Sequence, residues 1–410
     1  MDPRNADLAA RFDLATLPPE FFDDPYPYYH ALREHAPVKH MPDGSWFLTR
    51  YDDILPVYRD HKAFSSDKKK EFGPKFGATP LFEHHTTSLI FNDPPFHTRV
   101  RRMILGALSQ RHIAAMEPGL VALVDGLLDA MAAKGRVDLI EDFAAAIPIE
   151  VIGNLLGVPR AERGPLRDWS LAILGALEPV LTKERADAGN TAVREMLAYL
   201  STVVDDRRKH PGNPDTDVLT RLIEGETDGE KLSENELLHQ CIFLLNAGHE
   251  TTTNLIGTAL HTLCKWPQER ERLIANLDDQ NLVKSAVEEF LRFESSVQLG
   301  NRIATQEVTI AGMTLPADSR ITICIGAANR DPAQFPDPDR LDLGREPNRH
   351  IAFAFGIHTC AGMNLARLEA RVALAMFLAR FPRYALDGEP LLGGRARFRG
   401  FLHLPCNVAG

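Results

Sequence analysis

The fold of this chain is decided by one stretch, Phe353-Ala354-Phe355-Gly356-Ile357-His358-Thr359-Cys360-Ala361-Gly362. A helix-forming run from Met363 to Arg380 follows directly, so Cys360 lies just before a predicted helix start. Free backbone N–H groups and the positive end of a helix dipole stabilise a thiolate at such a position. Glycines on both sides of Cys360 let the backbone approach something large and flat. The stretch therefore predicts an anionic sulfur that faces a flat ligand.

Cys360 has three readings. A lone cysteine is most often buried and inert, and it cannot build a zinc cage by itself, but it can be one axial ligand of a haem iron. Phe353, Gly356, His358, Cys360 and Gly362 form the pattern Phe-x-x-Gly-x-His-x-Cys-x-Gly. This pattern resembles the haem-binding loop of the cytochrome P450 family. The resemblance implies haem b as the cofactor, the Cys360 thiolate as the axial iron ligand, and Phe353 packed on the sulfur side of the haem.

The composition is that of a globular protein, because 44% of the 410 residues are hydrophobic and 25% are charged. The net charge of −10 argues against a nucleic-acid partner. No run of about 18 apolar residues predicts a membrane span, and the first residues lack the pattern of a signal peptide. The five cysteines show no disulfide spacing. We therefore expect a cytoplasmic protein that is not bound to a membrane.

The secondary-structure pattern is mostly helical. Helical periodicity dominates from about residue 95 to 295 and again after 362, whereas short strand-like pieces lie at 45–49, 308–310 and 320–325. This distribution predicts a mainly α chain with small segregated β-sheets. The resemblance implies the cytochrome P450 fold, a triangular prism with a long central helix, as one haem domain over residues 1–410. The best linker candidate, 209–215, reads as a short surface loop.

The longest predicted helix begins at a capping box, with Ser233 as the N-cap and Glu236 three positions later. Apolar residues run on to Trp266 and Pro267 marks the end, which gives a length of roughly 50 Å. Within it, the segment Ala247-Gly248-His249-Glu250-Thr251-Thr252 contains poor helix formers. Residues that break local preferences tend to mark function.

One face of this helix is predicted to meet the cofactor and O₂. Phe243, Ala247, Glu250 and Thr251 fall at i, i+4, i+7 and i+8, and Ala247 and Gly248 are small enough for a flat ring to come close. The segment resembles the oxygen-activating motif of the P450 family, Ala/Gly-Gly-x-Asp/Glu-Thr. The resemblance implies that Thr251 holds the oxygen or its water and that Glu250 feeds protons. The alternative is an exposed glutamate and a threonine that bonds only its own backbone.

Basic residues are expected around the two haem propionates. His97 and Arg101 lie one helical turn apart. The resemblance implies that these two, with Arg302, His350 and His358, hold the propionates, since arginine forks suit carboxylates. Each of them alone could equally be a surface cation.

A structural ion pair is expected from Glu289 and Arg292. An acid and a base at i and i+3 usually form a surface pair of little weight. The resemblance of Glu-x-x-Arg to the P450 family instead implies a buried pair that locks to Arg340 of a later loop and supports folding and haem retention.

The substrate pocket is the least constrained part of the sequence. The resemblance places mainly apolar residues there, which favours a small organic substrate, mostly apolar or aromatic. Asn246 could bond a polar substrate group or be a satisfied core side chain. The runs 68–70 and 84–85 are expected to decorate a mobile, solvated loop. The pocket residues expected are Leu89, Phe243, Asn246, Val297, Leu299, Phe401 and Leu402.

These features together predict a haem-thiolate monooxygenase that inserts one atom of O₂ into its substrate, by hydroxylation or oxidative dealkylation. The chain shows no flavin or iron–sulfur domain, so we expect electrons from a separate ferredoxin or flavodoxin with an NAD(P)H-dependent reductase. Arg111, Arg345 and Arg367 are the predicted docking face, and we expect a monomer. The alternatives are a peroxide-using or rearranging haem-thiolate enzyme, a non-catalytic haem-binding sensor or carrier, and a haem-free helical binding protein.

Overall fold

A computed structural model describes residues 3–214, 217–227 and 230–409, so Asp215 of the linker candidate lies outside the described residues. Helices account for most of the described chain. The α-helices are α1 (Pro3–Arg11), α2 (Pro19–Asp23), α3 (Tyr26–His35), α4 (Tyr51–Arg59), α5 (Lys69–Phe76), α6 (Pro80–Thr87), α7 (Phe96–Ala107), α8 (Gln110–Lys134), α9 (Ala146–Leu155), α10 (Leu166–Gly175), α11 (Lys183–Lys209), α12 (Val218–Glu224), α13 (Glu234–Lys265), α14 (Pro267–Ile274), α15 (Gln280–Phe293), α16 (Ile325–Ala328) and α17 (Met363–Arg380).

The strands are short and form separate small sheets. The largest sheet has five strands in the order β1-β2-β10-β7-β3, and β11-β14-β4 form a second sheet. The prediction of a mainly α chain with segregated β-sheets is confirmed. The strands are β1 (Val38–His40), β2 (Trp46–Leu48), β3 (Phe64–Ser65), β4 (Arg136–Asp138), β5 (Glu226–Thr227), β6 (Glu230–Lys231), β7 (Leu299–Ala304), β8 (Val308–Ile310), β9 (Met313–Leu315), β10 (Arg320–Cys324), β11 (Ala385–Leu386), β12 (Leu391–Leu392), β13 (Phe401–His403) and β14 (Pro405–Asn407).

The long helix α13 passes through the helical core. The predicted capping box is present, since Ser233 accepts from the Glu236 backbone and the Glu236 side chain accepts from the Ser233 N–H. The helix packs against α9, α10, α11 and α17. From position 245 to 260 its residues are buried, except for Ala247, Gly248 and Thr251. This open stripe falls within the segment that the sequence singles out.

The segment before α7 differs from the expectation of a solvated loop. Lys68 is 2% exposed and its ammonium lies 2.8 Å from Glu71. His84 and His85 are buried on α6, where the His85 ring packs against Phe72 at 5.7 Å between ring centroids. Lys69 and Lys70 are exposed as expected, but the expectation was wrong for Lys68, His84 and His85, because Phe72 and its neighbours pack against this segment.

Among the described residues, no helix has both the length and the apolar character needed to cross a membrane.

Candidate active site

The loop before α17 is fixed against α4. The Cys360 N–H donates to the Phe353 carbonyl at 2.9 Å, which closes the loop on itself. Gly356 has a positive φ of 73°, and a Cβ there would lie 2.3 Å from the Tyr58 carbonyl oxygen, so only glycine fits this contact. The loop therefore holds the Cys360 side chain in a defined place at the start of α17.

Cys360 is exposed, yet enough protein surrounds it to weaken its solvation. Burial raises the pKa of the thiol, and three groups oppose this effect: the Gly362 N–H and the charges of Arg101 and Arg367. These groups favour the thiolate. The loop thus supplies the environment that the sequence predicts for an anionic sulfur.

Four of the five predicted propionate ligands lie together near Cys360. Arg101 donates to the Thr359 carbonyl at 2.5 Å, and the His97 and His358 rings lie 4.2 Å apart between centroids. Both ring nitrogens of His97 and Nε2 of His358 are buried without a hydrogen-bond partner. Arg302 belongs to the same electrostatic group, because its charge lowers the pKa of both histidines.

The two arginines of this cluster have no direct carboxylate partner, although Asp93 is near enough for its charge to act on His97 and Arg302. Within residues 3–214, 217–227 and 230–409, neither Arg101 nor Arg302 has a carboxylate at ion-pair distance. Burial, followed by the charge of Arg101, lowers the pKa of His97 to about 4. Burial, followed by the charge of Arg302, lowers the pKa of His358 to about 2. The cluster is therefore suited to an anionic ligand.

His350, the fifth residue of the predicted set, lies elsewhere. Its Nε2 is 3.1 Å from Glu288 Oε2, and Arg367 contacts the same carboxylate at 2.7 Å. Although burial acts in the opposite direction, the hydrogen bonds from His350 and Arg367 hold the pKa of Glu288 at about 2. The structure thus does not support the propionate role predicted for His350, because both of its ring nitrogens have partners, Nε2 in Glu288 and Nδ1 in the Ala352 N–H.

The buried ion pair of α15 is present, but with a different third member. Glu289 and Arg292 are fully buried and joined at 2.8 Å, and Arg345 Nε lies 3.2 Å from both Glu289 oxygens. Arg340 is exposed and contributes only its carbonyl, which accepts from Arg345 at 3.1 Å. The prediction of Arg340 was wrong because the chain turns at Asp337, where φ is 46°, and presents carbonyls inward.

The open stripe of α13 carries the predicted threonine. Thr251 Oγ1 donates to the Ala247 carbonyl at 2.9 Å, and the Thr251 carbonyl accepts from Ser296 Oγ at 2.8 Å. Phe243 lies two turns before Thr251 and is partly exposed. Gly248 differs from the prediction of ring contact, because a Cβ there would lie 3.2 Å from Ile152 Cδ1. Its small size serves the packing of α13 against α9.

Glu250 lies at the edge of this stripe and is 2% exposed. Its carboxylate forms a direct ion pair with Arg395, which lies between β12 and β13. Burial raises the pKa of Glu250, whereas Arg395 and Asn254 lower it and Glu178 raises it further. Sequence reasoning missed Arg395, since no local signal marks an arginine in this hairpin.

The predicted pocket residues fall into two groups. Val297 pairs with Phe398 of the β12–β13 hairpin and follows Ser296, so it lies close to Thr251. The Leu89 N–H donates to Gln240 of α13 at 3.1 Å. Val297 therefore borders the open stripe, whereas Leu89 contacts α13 seven positions before Ala247.

Three predicted pocket residues lie away from the stripe. Phe401 stacks on His261 at 4.5 Å, ten positions after Thr251 and about 15 Å along α13. The Leu402 carbonyl accepts from Arg167, and Leu299 packs in an N-terminal core with Phe12. These pocket predictions are not supported, because β13 meets α13 beyond the open stripe and Leu299 faces the N-terminal core.

Asn246 is buried, and its Oδ1 accepts from Ser170 Oγ of α10 at 2.8 Å. Its amide nitrogen has no partner among the described residues. The oxygen is thus used for packing, and only the nitrogen is available for a further bond.

Comparisons with known proteins agree with this geometry. Residues 171–389 match the family model described as Cytochrome P450. The cytochrome P450 monooxygenase PikC of Streptomyces venezuelae is 37% identical over 386 residues, which cover 92% of this chain and 89% of PikC. This chain belongs to the cytochrome P450 family.

Further P450 relatives cover nearly the whole chain. The Vitamin D(3) 25-hydroxylase of Pseudonocardia autotrophica is 38% identical over 371 residues, 89% of this chain and 88% of that enzyme. The crystal structure of P450BioI in complex with an acyl-carrier-protein ligand superposes with a TM-score of 0.88 at 31% identity, covering 95% of this chain and all of that one.

Family membership makes the protein a haem-thiolate monooxygenase whose cofactor is haem b with a cysteine axial ligand, as the sequence predicted. The residues present fit this P450 cofactor. Arg101 and Arg302, which contact carbonyls, and the unpartnered nitrogens of His97 and His358 suit two carboxylates.

Proposed function

We propose that Cys360 is the axial ligand of the haem and that the enzyme inserts one oxygen atom into a small, largely apolar organic molecule. The balance is one substrate C–H bond, O₂, two electrons and two protons, giving one C–OH bond and one water. When bound, haem supplies the activation of O₂, which a thiolate ligand promotes. The observation that carries the proposal is Cys360 held in its rigid loop beside Arg101 and Arg302, whose guanidinium groups contact carbonyls and no carboxylate among the described residues.

The chain's own residues have separate tasks in this proposal. His97, Arg101, Arg302 and His358 hold the propionates and so fix the cofactor relative to the loop. The Thr251 hydroxyl, now bonded to the Ala247 carbonyl, can turn to hold a water or oxygen in the open stripe. Glu250, the residue directly before Thr251 in α13, then delivers protons toward that water or oxygen.

The substrate side of the proposal rests on the apolar groups around the stripe. Phe243, Val297 and Phe398 are partly or fully buried there, and the nearest charges, Glu250 and Arg395, are paired with each other. A related enzyme named as a vitamin D(3) hydroxylase supports a bulky apolar substrate. The Asn246 nitrogen offers one hydrogen bond to such a molecule.

Electrons are proposed to come from a ferredoxin or flavodoxin that docks near the Cys360 loop. The predicted docking residues need correction, because Arg345 is buried in its ion pair and Arg367 is paired with Glu288. Phe355 is 41% exposed on this loop, and the Arg59 guanidinium lies 5.0 Å from its ring centroid. These two residues support a docking surface on that face. We further propose one haem domain that works as a monomer in the cytoplasm.

The experiment that tests this function uses isotopic oxygen. The ferric protein is titrated with a compound library, and compounds that shift its spectrum are turned over with a surrogate ferredoxin and reductase under ¹⁸O₂. We expect one ¹⁸O atom in the product and the other in water. A product labelled only when H₂¹⁸O₂ replaces O₂ would favour the peroxide-using alternative, and spectral shifts without any product would favour a sensor.

A further inference from the structure

The ion pair between Glu250 and Arg395 is buried on both sides. Glu250 is 2% exposed and the Arg395 side chain 8%, although the two residues come from α13 and from the distant β12–β13 hairpin. Removing two charges from water costs several kcal/mol per ion, and only good mutual geometry offsets this cost. A pair of this kind is therefore sensitive to the position of each partner.

The hairpin tip that carries Arg395 is clamped in place. Glu178, in the loop after α10, accepts from the Ala396 N–H at 2.7 Å and from the Arg397 N–H at 3.2 Å. The Arg397 side chain donates to the Leu177 carbonyl at 3.0 Å and to the Leu299 carbonyl at 2.9 Å. These contacts hold the two residues directly after Arg395, so the reach of Arg395 is limited by the fold.

The same hairpin lies directly on α13. A Cβ on Gly400 would be 2.0 Å from Asn254 Oδ1, one turn after Glu250, so no larger residue could pack so closely. On the other side, Glu250 precedes Thr251, whose hydroxyl and carbonyl border the open stripe. Arg395 on this hairpin thus contacts the residue directly before Thr251.

We propose that Arg395 is the positioning residue of Glu250. Arg395 holds the Glu250 carboxyl group at the edge of the stripe and stabilises the anion that each proton delivery leaves. This inference rests on the proposed function, in which Glu250 passes protons toward Thr251. In each cycle the Glu250 carboxyl gives up a proton and regains one from water, so its charge is unchanged at the end. Arg395 acts in this proposal only through its contact with the Glu250 carboxylate.

The charges that face Glu250 support this role. Arg395 and Asn254 favour its anion, while burial and Glu178 oppose it. Without the guanidinium, burial and Glu178 would meet less opposition, and the pKa of the Glu250 carboxyl group would rise further. A glutamic acid that cannot release its proton stops the relay just as an absent one does.

The chain offers a matched control pair on the same hairpin. Arg399 Nε lies 2.7 Å from Glu294, and the two side chains are nearly as buried, at 14% and 18% exposure. This second pair joins the hairpin to the end of α15 and does not involve α13. Its removal therefore measures how much stability is lost with an ion pair of this hairpin that does not contact Glu250.

The first test is a double-mutant cycle on the haem-loaded protein, with Arg395→Gln, Glu250→Gln and both together. We expect Arg395→Gln to lose more stability than the double variant, with a coupling of roughly tenfold in the unfolding equilibrium constant. Additive effects would show that the two groups do not interact and would overturn the inference.

The second test measures the pH profile of NAD(P)H oxidation and the peroxide released per NAD(P)H, with a surrogate ferredoxin and reductase. Arg395→Gln is expected to move the profile upward by about one pH unit or more and to raise peroxide release, whereas Arg395→Lys stays close to the wild type and Arg399→Gln leaves both unchanged. A normal profile for Arg395→Gln beside a defective Glu250→Gln overturns this inference alone. A normal Glu250→Gln overturns the proposed proton delivery and this inference with it.

Discussion

Replacing Arg345 by methionine should destabilise the protein, whereas the same change at Arg340 should not. Arg345 Nε contacts both Glu289 oxygens at 3.2 Å, and its other nitrogens bond the carbonyls of Pro336, Asp337 and Arg340. Breaking one partner of a buried pair costs about 3–5 kcal/mol. We expect the lower end of that range, about 3 kcal/mol, because Arg292 still pairs with the carboxylate at 2.8 Å.

The expected loss of stability can be converted into a decrease in the melting temperature, Tm. An unfolding entropy of about 2.1 cal/mol/K per residue gives roughly 0.9 kcal/mol/K for this chain, so Arg345→Met should lower Tm by about 3–4 °C. Arg340→Met is exposed and should change Tm by less than about 1 °C. The assay is thermal unfolding of the haem-loaded variants, followed by far-ultraviolet circular dichroism and by the Soret band. Equal losses for the two variants, or a larger loss for Arg340→Met, would refute the assignment of Arg345.

Three further predictions concern the stripe, the loop and the buried histidines. Thr251→Ala should raise the peroxide released per NAD(P)H severalfold, and by no more than about 10²-fold, which is within the range of proton-transfer effects. Thr253→Ala should not raise it, because this residue is buried outside the open stripe and its hydroxyl bonds only a helix carbonyl. Gly356→Ala should abolish haem retention, since its Cβ would meet a carbonyl oxygen at 2.3 Å, whereas Gly126→Ala on α8, with nothing within 4 Å of the added Cβ, should retain haem in the same absorbance assay. Burial, followed by the charge of Lys75, lowers the pKa of His85 to about 3, so below about pH 6.5 the unfolded state binds a proton that the folded state does not. The free energy of unfolding should therefore fall as the pH drops from about 6.5, by about 2 kcal/mol at pH 5. His85→Phe should flatten this decline when Tm is measured against pH.

The sequence could predict those parts of the site that lie within one segment. The Cys360 loop and the capping box of α13 each need only a few neighbouring residues, because turn and helix geometry relates them directly. The Thr251 bond to the Ala247 carbonyl follows from the same local rule. For these features, spacing alone fixes which groups meet.

The errors concern residues whose partners lie far away in the chain. A turn at Asp337 decides that Arg345 rather than Arg340 points inward, and a residue with positive φ is not visible in a motif. His350 turned to Glu288 because α15 brings that carboxylate next to it. Arg395 meets Glu250 only because the hairpin lies on α13. Such pairings depend on tertiary packing, which composition and periodicity do not encode.

The most direct test of the central claim is the spectrum of the reduced protein with carbon monoxide. The account predicts the strongly red-shifted Soret band typical of a thiolate-ligated haem, its loss in Cys360→Ala, and its survival in Cys264→Ala, where another partly exposed cysteine is removed. A Cys360→Ala protein that keeps this band, or a wild-type protein that binds haem without showing it, would contradict the assignment of Cys360 as the iron ligand.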